Sequence, residues 1–506
     1  MNKNSQVLFR GKLDPKKTRQ WGKPDVDLEP DGKTICLILE GAYPYVSGGV
    51  SSWIQQMVTR MKDFRFKILT IMASDEKEME IKYTFPDNII EFRTIFLYEY
   101  LNVRQERFRK KLLLTAEERE QLRKFILFDR SVDWDKITDI ICREDKIGNT
   151  IDFLMSYDFF DELIVLYNTK YDGEGFNIFF WTFRSMLATL ICVMQQPMPN
   201  ADLYHAISTG YAGLMGLIAK NSYKKPFLLT EHGIYARERE EELLKADWVK
   251  GVYKYLWIDY FYFLSVGAYK TANKTIALFR HNRDIQVSLG VPPKNALVIP
   301  NGVDDSTFPK EKVDHPGINV AAILRVVPIK DVKTLIRAFN FVVNAYPEAR
   351  LLLIGPAEED AEYAKECINL IDDLGLKDVI IFTGQVNIKE YMPRIDMIVL
   401  TSISEAQPLV ILEAYACATA VIATDVGSCR ELVEGDDDGF GKAGIITKPV
   451  SPKETAEAIM KLCADPELRK TYGKNGLARI RKLYDSNNVF RTYARTYEQI
   501  LEDATF

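Results

Sequence analysis

The 506-residue chain is 47% apolar and 27% charged and has a formal net charge of -5, a balance typical of globular proteins that disfavours nucleic acid as a partner. Its length predicts at least two large domains. The seven cysteines lie far apart, with no CxxC pair and no His/Cys cluster, so we predict neither a disulfide framework nor a zinc site. The polar N-terminus holds no apolar core of signal-peptide length, which favours a cytoplasmic location.

The first half of the chain begins with a polar extension, predicted over residues 1–33. The strand "KTICLILEG" follows, then the pair Gly48-Gly49, a helix "VSSWIQQMVTRM" and a strand "FKILTIMAS". From about residue 76 to 199 charged and aromatic helices replace this rhythm, so we predict a helical insertion without strands. Its most apolar window, Phe176–Met194, contains Arg184 and is predicted to be a core or partner-facing helix rather than a membrane span.

Strand-helix units then resume with "ADLYHAIS", "PFLLTEHG", "KTIALF" and "ALVIPNG", and six more units begin at Ile318. Short β-branched runs that alternate with helices predict parallel sheets covered on both faces. We therefore predict an α/β fold of two doubly wound, Rossmann-like domains, over 34–305 and 306–485, with a last helix over 486–506. Such sheets bind ligands beyond the carboxyl ends of their strands, so a cleft is expected where the two domains face each other.

The segment "TSISEAQPLVILEAYA" carries two acids eight positions apart. Glu405 is expected in a strand-to-helix loop, and Glu413 one to two turns into the helix that Pro408 helps to start. A carboxylate accepts hydrogen bonds from two sugar or ribose hydroxyls, and the N–H groups of a first helical turn favour an anion. The alternative is that both acids are solvated surface residues.

Two cations follow the first strand of the second domain. Arg325 is expected at the end of that strand and Lys330 just before a helix. Together they could stabilise the negative charge of a departing diphosphate without a metal ion. The alternative is a strand-edge arginine and a surface lysine.

Two histidines and a glycine pair mark strand ends in the first domain. A neutral His232 could hydrogen-bond a substrate hydroxyl, and His205 is a second candidate, because a histidine at a strand end is not expected deep in a core. The fingerprint G-x-G-x-x-G is absent, which disfavours a dinucleotide site. Gly48-Gly49 instead suits a close backbone approach to a phosphate or to a neighbouring helix.

Five ordered features, an early "GGV" turn, "EHG", "VIPNGVD", an Arg-x4-Lys pair and "SEAQPLVILEA", resemble the retaining glycosyltransferases of the GT-B fold that include sucrose and glycogen synthase-like enzymes. More narrowly, "ILEGAYPYVSGGVSSWIQ", "TEHGIYARERE" and "ATDVGSCRELVEG" resemble the PelF family, the cytosolic glycosyltransferases of Pel exopolysaccharide synthesis in biofilms. The resemblance covers nearly the whole chain. One departure is Ala418-Thr419-Ala420, where many relatives carry Gly-x-Pro.

The resemblance implies a role for each matching residue. It implies that Arg325 and Lys330 neutralise the nucleotide diphosphate, that Glu405 faces the donor sugar, that Glu413 binds the ribose hydroxyls and that His232 lies near the reacting face of the sugar. The implied donor-binding residues besides Glu413 are Gly48, Gly49, Ala406, Gln407, Leu409 and Val410. The final helix is expected to cross back onto the first domain.

The implied reaction moves a hexose or N-acetylhexosamine from a UDP-sugar to a growing exopolysaccharide with retention, without a metal ion or other cofactor. Glucose, galactose, N-acetylglucosamine and N-acetylgalactosamine all stay open as the donor sugar. The implied partners are the polysaccharide acceptor and inner-membrane proteins of the Pel synthesis and export complex, which recruit the protein to the inner face of the membrane. A nucleotide-sugar epimerase and a non-catalytic nucleotide-sugar-binding subunit are the alternatives, and the missing glycine fingerprint disfavours a dehydrogenase.

Overall fold

The computed structural model describes residues 33–504 apart from residues 42, 74–79, 99–103, 105–110, 250 and 436. The predicted N-terminal extension therefore lies outside the described residues, except for residue 33. The chain divides into two compact units, Met1–Val298 with Tyr493–Phe506, and Ile299–Thr492. The first boundary falls a few residues before the predicted boundary at 305/306.

The first unit is built on one parallel sheet of seven strands in the order β3-β2-β1-β4-β5-β6-β7. The inner strand β1 is buried over almost its whole length, because helices cover both faces of the sheet. The strands are β1 (Thr34–Glu40), β2 (Arg65–Met72), β3 (Ile89–Phe96), β4 (Leu203–Ala206), β5 (Phe227–Glu231), β6 (Lys274–Ala277) and β7 (Ala296–Val298).

The helices of the first unit include the long insertion before β4. Its helix α2 starts at a capping box, in which the side chain of Thr115 accepts from the backbone N–H of Glu118 and the carboxylate of Glu118 accepts from that of Thr115. The helices are α1 (Gly49–Arg60), α2 (Ala116–Ile126), α3 (Trp134–Ile141), α4 (Glu144–Ile147), α5 (Thr150–Leu154), α6 (Tyr157–Leu166) with a π-helical segment (Tyr167–Tyr171), α7 (Phe176–Met194), α8 (Tyr211–Ser222), α9 (Tyr235–Lys245), α10 (Val252–Thr271) and α11 (Arg280–Ser288).

Strand β3 corrects the prediction that residues 76–199 contain no strand. It is an edge strand that pairs with β2 alone, so its side chains are only partly buried. Charged residues interrupt its apolar run, and Glu91 forms an ion pair with Lys67 of β2 at 2.8 Å. The sequence pattern failed here because an edge strand does not need the continuous apolar run of a central one.

Helix α7 lies mainly in the core of the insertion. Its second half is buried from Met186 to Met194, while Ile178 and Trp181 are exposed near its start. The guanidinium of Arg184 lies 5.3 Å from the centre of the Trp181 ring. Among the described residues α7 is the one helix long and apolar enough to cross a membrane by length and composition, and 56% of its most apolar window is buried.

The second unit holds a parallel sheet of six strands in the order β10-β9-β8-β11-β12-β13. Alternate residues of β8 face opposite cores: Val320 belongs to one apolar cluster and Ala321 to the other. The strands are β8 (Ile318–Ile323), β9 (Ala349–Ile354), β10 (Ile380–Gly384), β11 (Met397–Leu400), β12 (Ala420–Thr424) and β13 (Gly444–Thr447).

The helices of the second unit follow the predicted strand-helix alternation and confirm the α/β fold class. They are α12 (Val332–Ala345), α13 (Ala361–Asp373), α14 (Ile388–Tyr391), α15 (Leu409–Ala416), α16 (Cys429–Glu434), α17 (Pro452–Ala464) and α18 (Pro466–Leu483). Helix α19 (Ser486–Asp503) follows, and from Tyr493 onward its residues belong to the first unit.

Each sheet reverses its strand order at one place, between β1 and β4 in the first unit and between β8 and β11 in the second. Two neighbouring loops leave the sheet in opposite directions at such a point, which opens a crevice beyond the strand ends. The loops after these four strands therefore define where each domain is most able to bind a ligand.

Candidate active site

In the second domain the reversal point brings Lys330 and Glu405 together. Lys330 ends a short 3-10 turn after β8, and Glu405 lies in the loop after β11. The Lys330 Nζ atom is 2.5 Å from Glu405 Oε1, and only 19% and 12% of the two side chains are exposed. The two residues are 75 positions apart, but β8 and β11 are neighbours in the sheet. An ammonium group and a carboxylate are thus fixed side by side at the predicted position.

Backbone contacts hold the two loops in register. The Thr401 hydroxyl lies 3.1 Å from the carbonyl oxygens of both Lys330 and Asp331. The N–H of Ile403 donates to the carbonyl of Ile329 at 2.8 Å. Because these bonds involve backbone atoms, the contact between the loops does not depend on the Lys330 side chain.

Arg325, the other predicted cation, is placed differently. It is exposed two residues after β8, and its guanidinium pairs with Glu359 at 2.5 Å. The structure therefore brings Lys330, and not Arg325, onto the Glu405 carboxylate.

Gly427, which was not among the predicted site residues, packs against the backbone of the Glu405 loop. A Cβ at this position would lie 2.1 Å from the carbonyl oxygen of Glu405 and 2.4 Å from that of Ala406. The neighbouring N–H of Ser428 donates to Ala406 at 2.8 Å. Gly427 also has φ +53°, which disfavours other residues. The signal in the sequence was a glycine three residues after the short apolar run "AVIAT".

Helix α15 begins directly after this loop, at Leu409. Its N-cap is Pro408, and no side-chain cap is found there among the described residues. The first N–H groups of a helix have no partner within the helix, so the amides of Leu409 and Val410 can serve an anion. The side chain of Gln407 has a structural contact, because its Oε1 accepts from the N–H of Asn301 at 2.6 Å.

Glu413 lies in the second turn of α15. Burial raises the pKa of its carboxyl to about 7, and the charge of Lys389 on α14 acts in the opposite direction. A carboxyl in this range changes between its neutral and ionised forms near physiological pH. It gains most from a ligand that donates hydrogen bonds to the ionised form.

In the first domain Gly48 is the N-cap of α1 and Gly49 its first residue, and both are exposed. Gly48 has φ 177°, an extended conformation that any residue can adopt. A Cβ at Gly48 would meet no described atom within 4 Å. Packing within the domain therefore does not require a glycine at position 48. The space beside the start of the helix is open to a ligand.

His232 follows β5 and packs edge-on against Trp53, with ring centres 4.9 Å apart. Its Nε2 atom is buried, and no described residue hydrogen-bonds to it. Burial lowers the pKa of His232 to about 4, so the ring is neutral at pH 7. A neutral imidazole with an unused nitrogen can donate a hydrogen bond to a hydroxyl or accept one from it, depending on the tautomer.

His205 corrects the expectation that a histidine at a strand end lies outside the core. It is fully buried, and its two ring nitrogens lie 2.7 Å from the Tyr497 hydroxyl and 2.8 Å from the Thr230 hydroxyl. Burial lowers its pKa to about 3. Helix α19 supplies Tyr497 and covers this strand end, so His205 is a structural residue.

Two carboxylates of the first domain were missed by the sequence analysis. Glu40 ends β1 and accepts from the Tyr235 hydroxyl at 2.8 Å, and burial raises its pKa. Glu231 ends β5 immediately before His232 and is buried.

Within the described part of the chain, no three His, Cys, Asp or Glu side chains form a group that could hold a metal ion.

Comparison with known proteins agrees with this architecture. Residues 33–294 match the family described as Domain of unknown function (DUF3492), and residues 304–479 match Glycosyl transferases group 1. D-inositol 3-phosphate glycosyltransferase of Kineococcus radiotolerans is 28% identical over an alignment of 211 residues, and the match covers 38% of this chain. The chain spans 48% of that relative's length.

Two solved structures match over most of the chain and show the same fold. HepE of Anabaena in complex with UDP has a TM-score of 0.58 and 17% identity, over 92% of this chain and 100% of its own. Sucrose-phosphate synthase of Thermosynechococcus elongatus has a TM-score of 0.59 and 18% identity, over 93% and 100%.

The two Rossmann-like domains, the second of which matches Glycosyl transferases group 1 and carries the Lys330–Glu405 pair, define a chain with the GT-B fold. Its first domain makes the assignment more specific. Since the first match spans more than half of the sequence, the chain belongs to the family described as Domain of unknown function (DUF3492).

Proposed function

We propose that the protein is a retaining glycosyltransferase that moves a hexose or N-acetylhexosamine from a UDP-sugar to a growing exopolysaccharide of the Pel type. The observation that carries the proposal is the Lys330–Glu405 pair next to the uncapped start of α15. A cationic side chain and the N–H groups at the start of a helix each suit the phosphates of a nucleotide diphosphate. The UDP bound to HepE is consistent with this choice of nucleotide.

Departure of the diphosphate is the step that these groups assist. As the bond from the sugar C1 to the diphosphate oxygen breaks, negative charge grows on that oxygen. The ammonium of Lys330 and the amides of Leu409 and Val410 stabilise this charge. Glu405 keeps Lys330 in place and accepts hydrogen bonds from donor sugar hydroxyls.

Retention follows if the acceptor hydroxyl attacks C1 on the face that the diphosphate leaves, through an oxocarbenium-like state. The leaving diphosphate can take the proton of the acceptor, so that one C–O bond forms as another breaks. His232 is assigned a hydrogen bond from its buried Nε2 to a substrate hydroxyl. Ribose recognition is assigned to Glu413, whose ionised form would accept two hydroxyls.

Metal independence is part of the proposal, because Lys330 and the helix amides can supply the charge compensation themselves. The test is calorimetric binding of UDP, ADP, GDP and NAD in EDTA, followed by transfer assays with UDP-glucose, UDP-galactose and the two UDP-N-acetylhexosamines. Selective UDP binding, and a product whose anomeric configuration matches the donor by NMR, are expected. Preference for NAD, acceptor-independent conversion of the sugar or an inverted product would each contradict the proposal.

Recruitment to the inner face of the membrane by Pel inner-membrane proteins is also proposed. The support is an exposed apolar group around the end of α9 and the start of α10, where Trp248 is 73% and Tyr255 67% exposed and Leu244 and Val252 lie nearby in the chain. Large exposed aromatic residues are typical of protein or membrane contacts. The double substitution Trp248→Ser and Tyr255→Ser is expected to move the protein from the membrane fraction to the supernatant without changing UDP binding.

A further inference from the structure

The buried carboxylate of Glu231 sits immediately before His232 and binds four donors from separate parts of the first domain. Its two oxygens are shared evenly between these donors, and the structure leaves neither oxygen exposed. The Oε2 atom accepts from the Tyr269 hydroxyl at 2.5 Å and the Gln286 amide at 2.9 Å, and Oε1 accepts from the Thr209 hydroxyl at 3.1 Å and the Tyr235 N–H at 3.3 Å.

The bond to the N–H of Tyr235 matters most for His232. The short segment 231–235 connects β5 to α9. This bond links its last residue, Tyr235, to the side chain of its first residue, Glu231. His232 is the second residue of that segment, and its ring is packed against Trp53. Trp53 therefore packs against the imidazole itself, and the carboxylate of Glu231 holds the backbone segment that carries it.

The donor set is matched to an ionised carboxylate. An ionised carboxylate has about four acceptor positions, and the four donors fill them. A protonated carboxyl must donate one hydrogen bond, so at least one partner would have to turn around. Gln286 can do so by rotating its amide, because no described residue hydrogen-bonds to its Oε1 atom.

We propose that Glu231 is a positioning residue for transfer: its ionised carboxylate fixes the segment 231–235 and with it the imidazole of His232. This rests on the proposed function, in which His232 binds a substrate hydroxyl. Loss of the Glu231 charge would loosen the segment without touching the groups that bind the nucleotide.

The pKa shifts support a titrating Glu231 carboxyl next to a His232 ring that stays neutral. Burial raises the pKa of Glu231 to about 7 although all four hydrogen bonds act against the rise, whereas burial lowers that of His232 to about 4. A change in the segment 231–235 between pH 8 and pH 6 would thus report the Glu231 carboxyl and not the histidine. Other titratable or charged groups lie around the cluster. They include Glu40, Arg239 and Tyr211 beside Tyr235, Arg237 and Tyr262 near Tyr269, and His205 near His232.

The test is a pH titration of the protein labelled on its histidine rings, of which the chain has four. His232→Gln assigns the His232 resonance. In the wild type this resonance is expected to move between pH 6 and pH 8 while the ring stays neutral. In Glu231→Gln the movement is expected to disappear, and kcat to fall at least tenfold with an unchanged KM for the donor.

Two further variants keep the outcome decisive. Tyr269→Phe removes one donor and should move the midpoint of the His232 response to higher pH, which tests the proposal even if Glu231→Gln does not fold. Asp158→Asn is the control, because Asp158 is a buried carboxylate of the helical insertion that accepts from the N–H of Leu112 at 2.7 Å. It should leave the His232 response unchanged.

An identical His232 resonance and pH response in wild type and Glu231→Gln would overturn the proposal, as would protonation of His232 itself near pH 6.5. Failure of the proposed function gives a different result. In that case the wild type transfers no sugar from any UDP-hexose, while the titration still shows whether Glu231 controls the His232 ring.

Discussion

Gly427 packs so closely against the backbone of Glu405 that a Cβ on Gly427 would lie 2.1 Å from the Glu405 carbonyl oxygen. Two loops that follow neighbouring strands, β11 and β12, are thereby packed at a distance that only glycine permits. The Glu405 carboxylate projects from a loop whose backbone is held by this contact and by the N–H of Ser428, which donates to the carbonyl of Ala406.

Gly427→Ala is therefore expected to destabilise the second domain and to weaken UDP binding. Gly439→Ala is the matched control, since Gly439 also has a positive φ (+79°) but open space around its missing Cβ. The control should cost about 1 kcal/mol for the left-handed backbone, and Gly427→Ala a further 1–3 kcal/mol or so for overpacking. Chemical denaturation measures both, and equal losses would show that the close contact does not matter.

Lys330→Ala should reduce transfer at least a hundredfold and weaken UDP binding about tenfold, because the diphosphate loses its ammonium partner. Lys333→Ala is the control: Lys333 lies one turn further along and pairs with Glu366 at 2.5 Å. It should leave transfer within about twofold of the wild type, as expected for a surface ion pair. Similar losses in both variants would mean that general charge, not the Lys330–Glu405 pair, is responsible.

Glu405→Gln should abolish transfer while UDP, which lacks the sugar, still binds within about threefold of the wild-type affinity. The amide keeps the shape of the side chain but cannot hold Lys330 as an ion pair or accept equally well from sugar hydroxyls. Parallel calorimetry and transfer assays check this. Full transfer activity in Glu405→Gln would show that the Glu405 carboxylate has no role in transfer.

UDP binding should strengthen as the pH rises from 6 to 8. The pKa of Glu413 is raised to about 7 by burial. In the proposed role, ribose hydroxyls bind the ionised form, so binding should lower this pKa and release a proton. The gain is expected to reach about tenfold, equivalent to one pKa unit or about 1.4 kcal/mol. In Glu413→Gln, only the pH dependence that comes from the phosphate of UDP itself should remain. An unchanged dependence of UDP affinity on pH in this variant would argue against a ribose contact of Glu413.

Gly48→Ser should raise stability and lower activity. Serine is a better N-cap than glycine by a few tenths of a kcal/mol, and its Cβ meets no described atom within 4 Å. If the start of α1 approaches the donor, the added hydroxymethyl group should raise the KM for the UDP-sugar at least fivefold. Unchanged kinetics in a stabilised variant would show that no ligand comes close to Gly48.

The sequence alone determined the fold class and the order of the motifs. Buried parallel strands need uninterrupted apolar runs, and short connections fix Glu405 and Lys330 at strand ends, so these features can be predicted from local pattern. Helix α15 and the acid spacing from Glu405 to Glu413 follow in the same way.

Only the tertiary structure decided which residues meet. Lys330 rather than Arg325 reaches Glu405, His205 is covered by Tyr497 almost three hundred positions away, and the charged strand β3 joins the sheet at its edge. Gly427 and Glu231 gained their importance in the same manner, through contacts with residues distant in sequence. The physical reason is that burial, ion pairing and close packing depend on distances in space, which local sequence pattern does not contain.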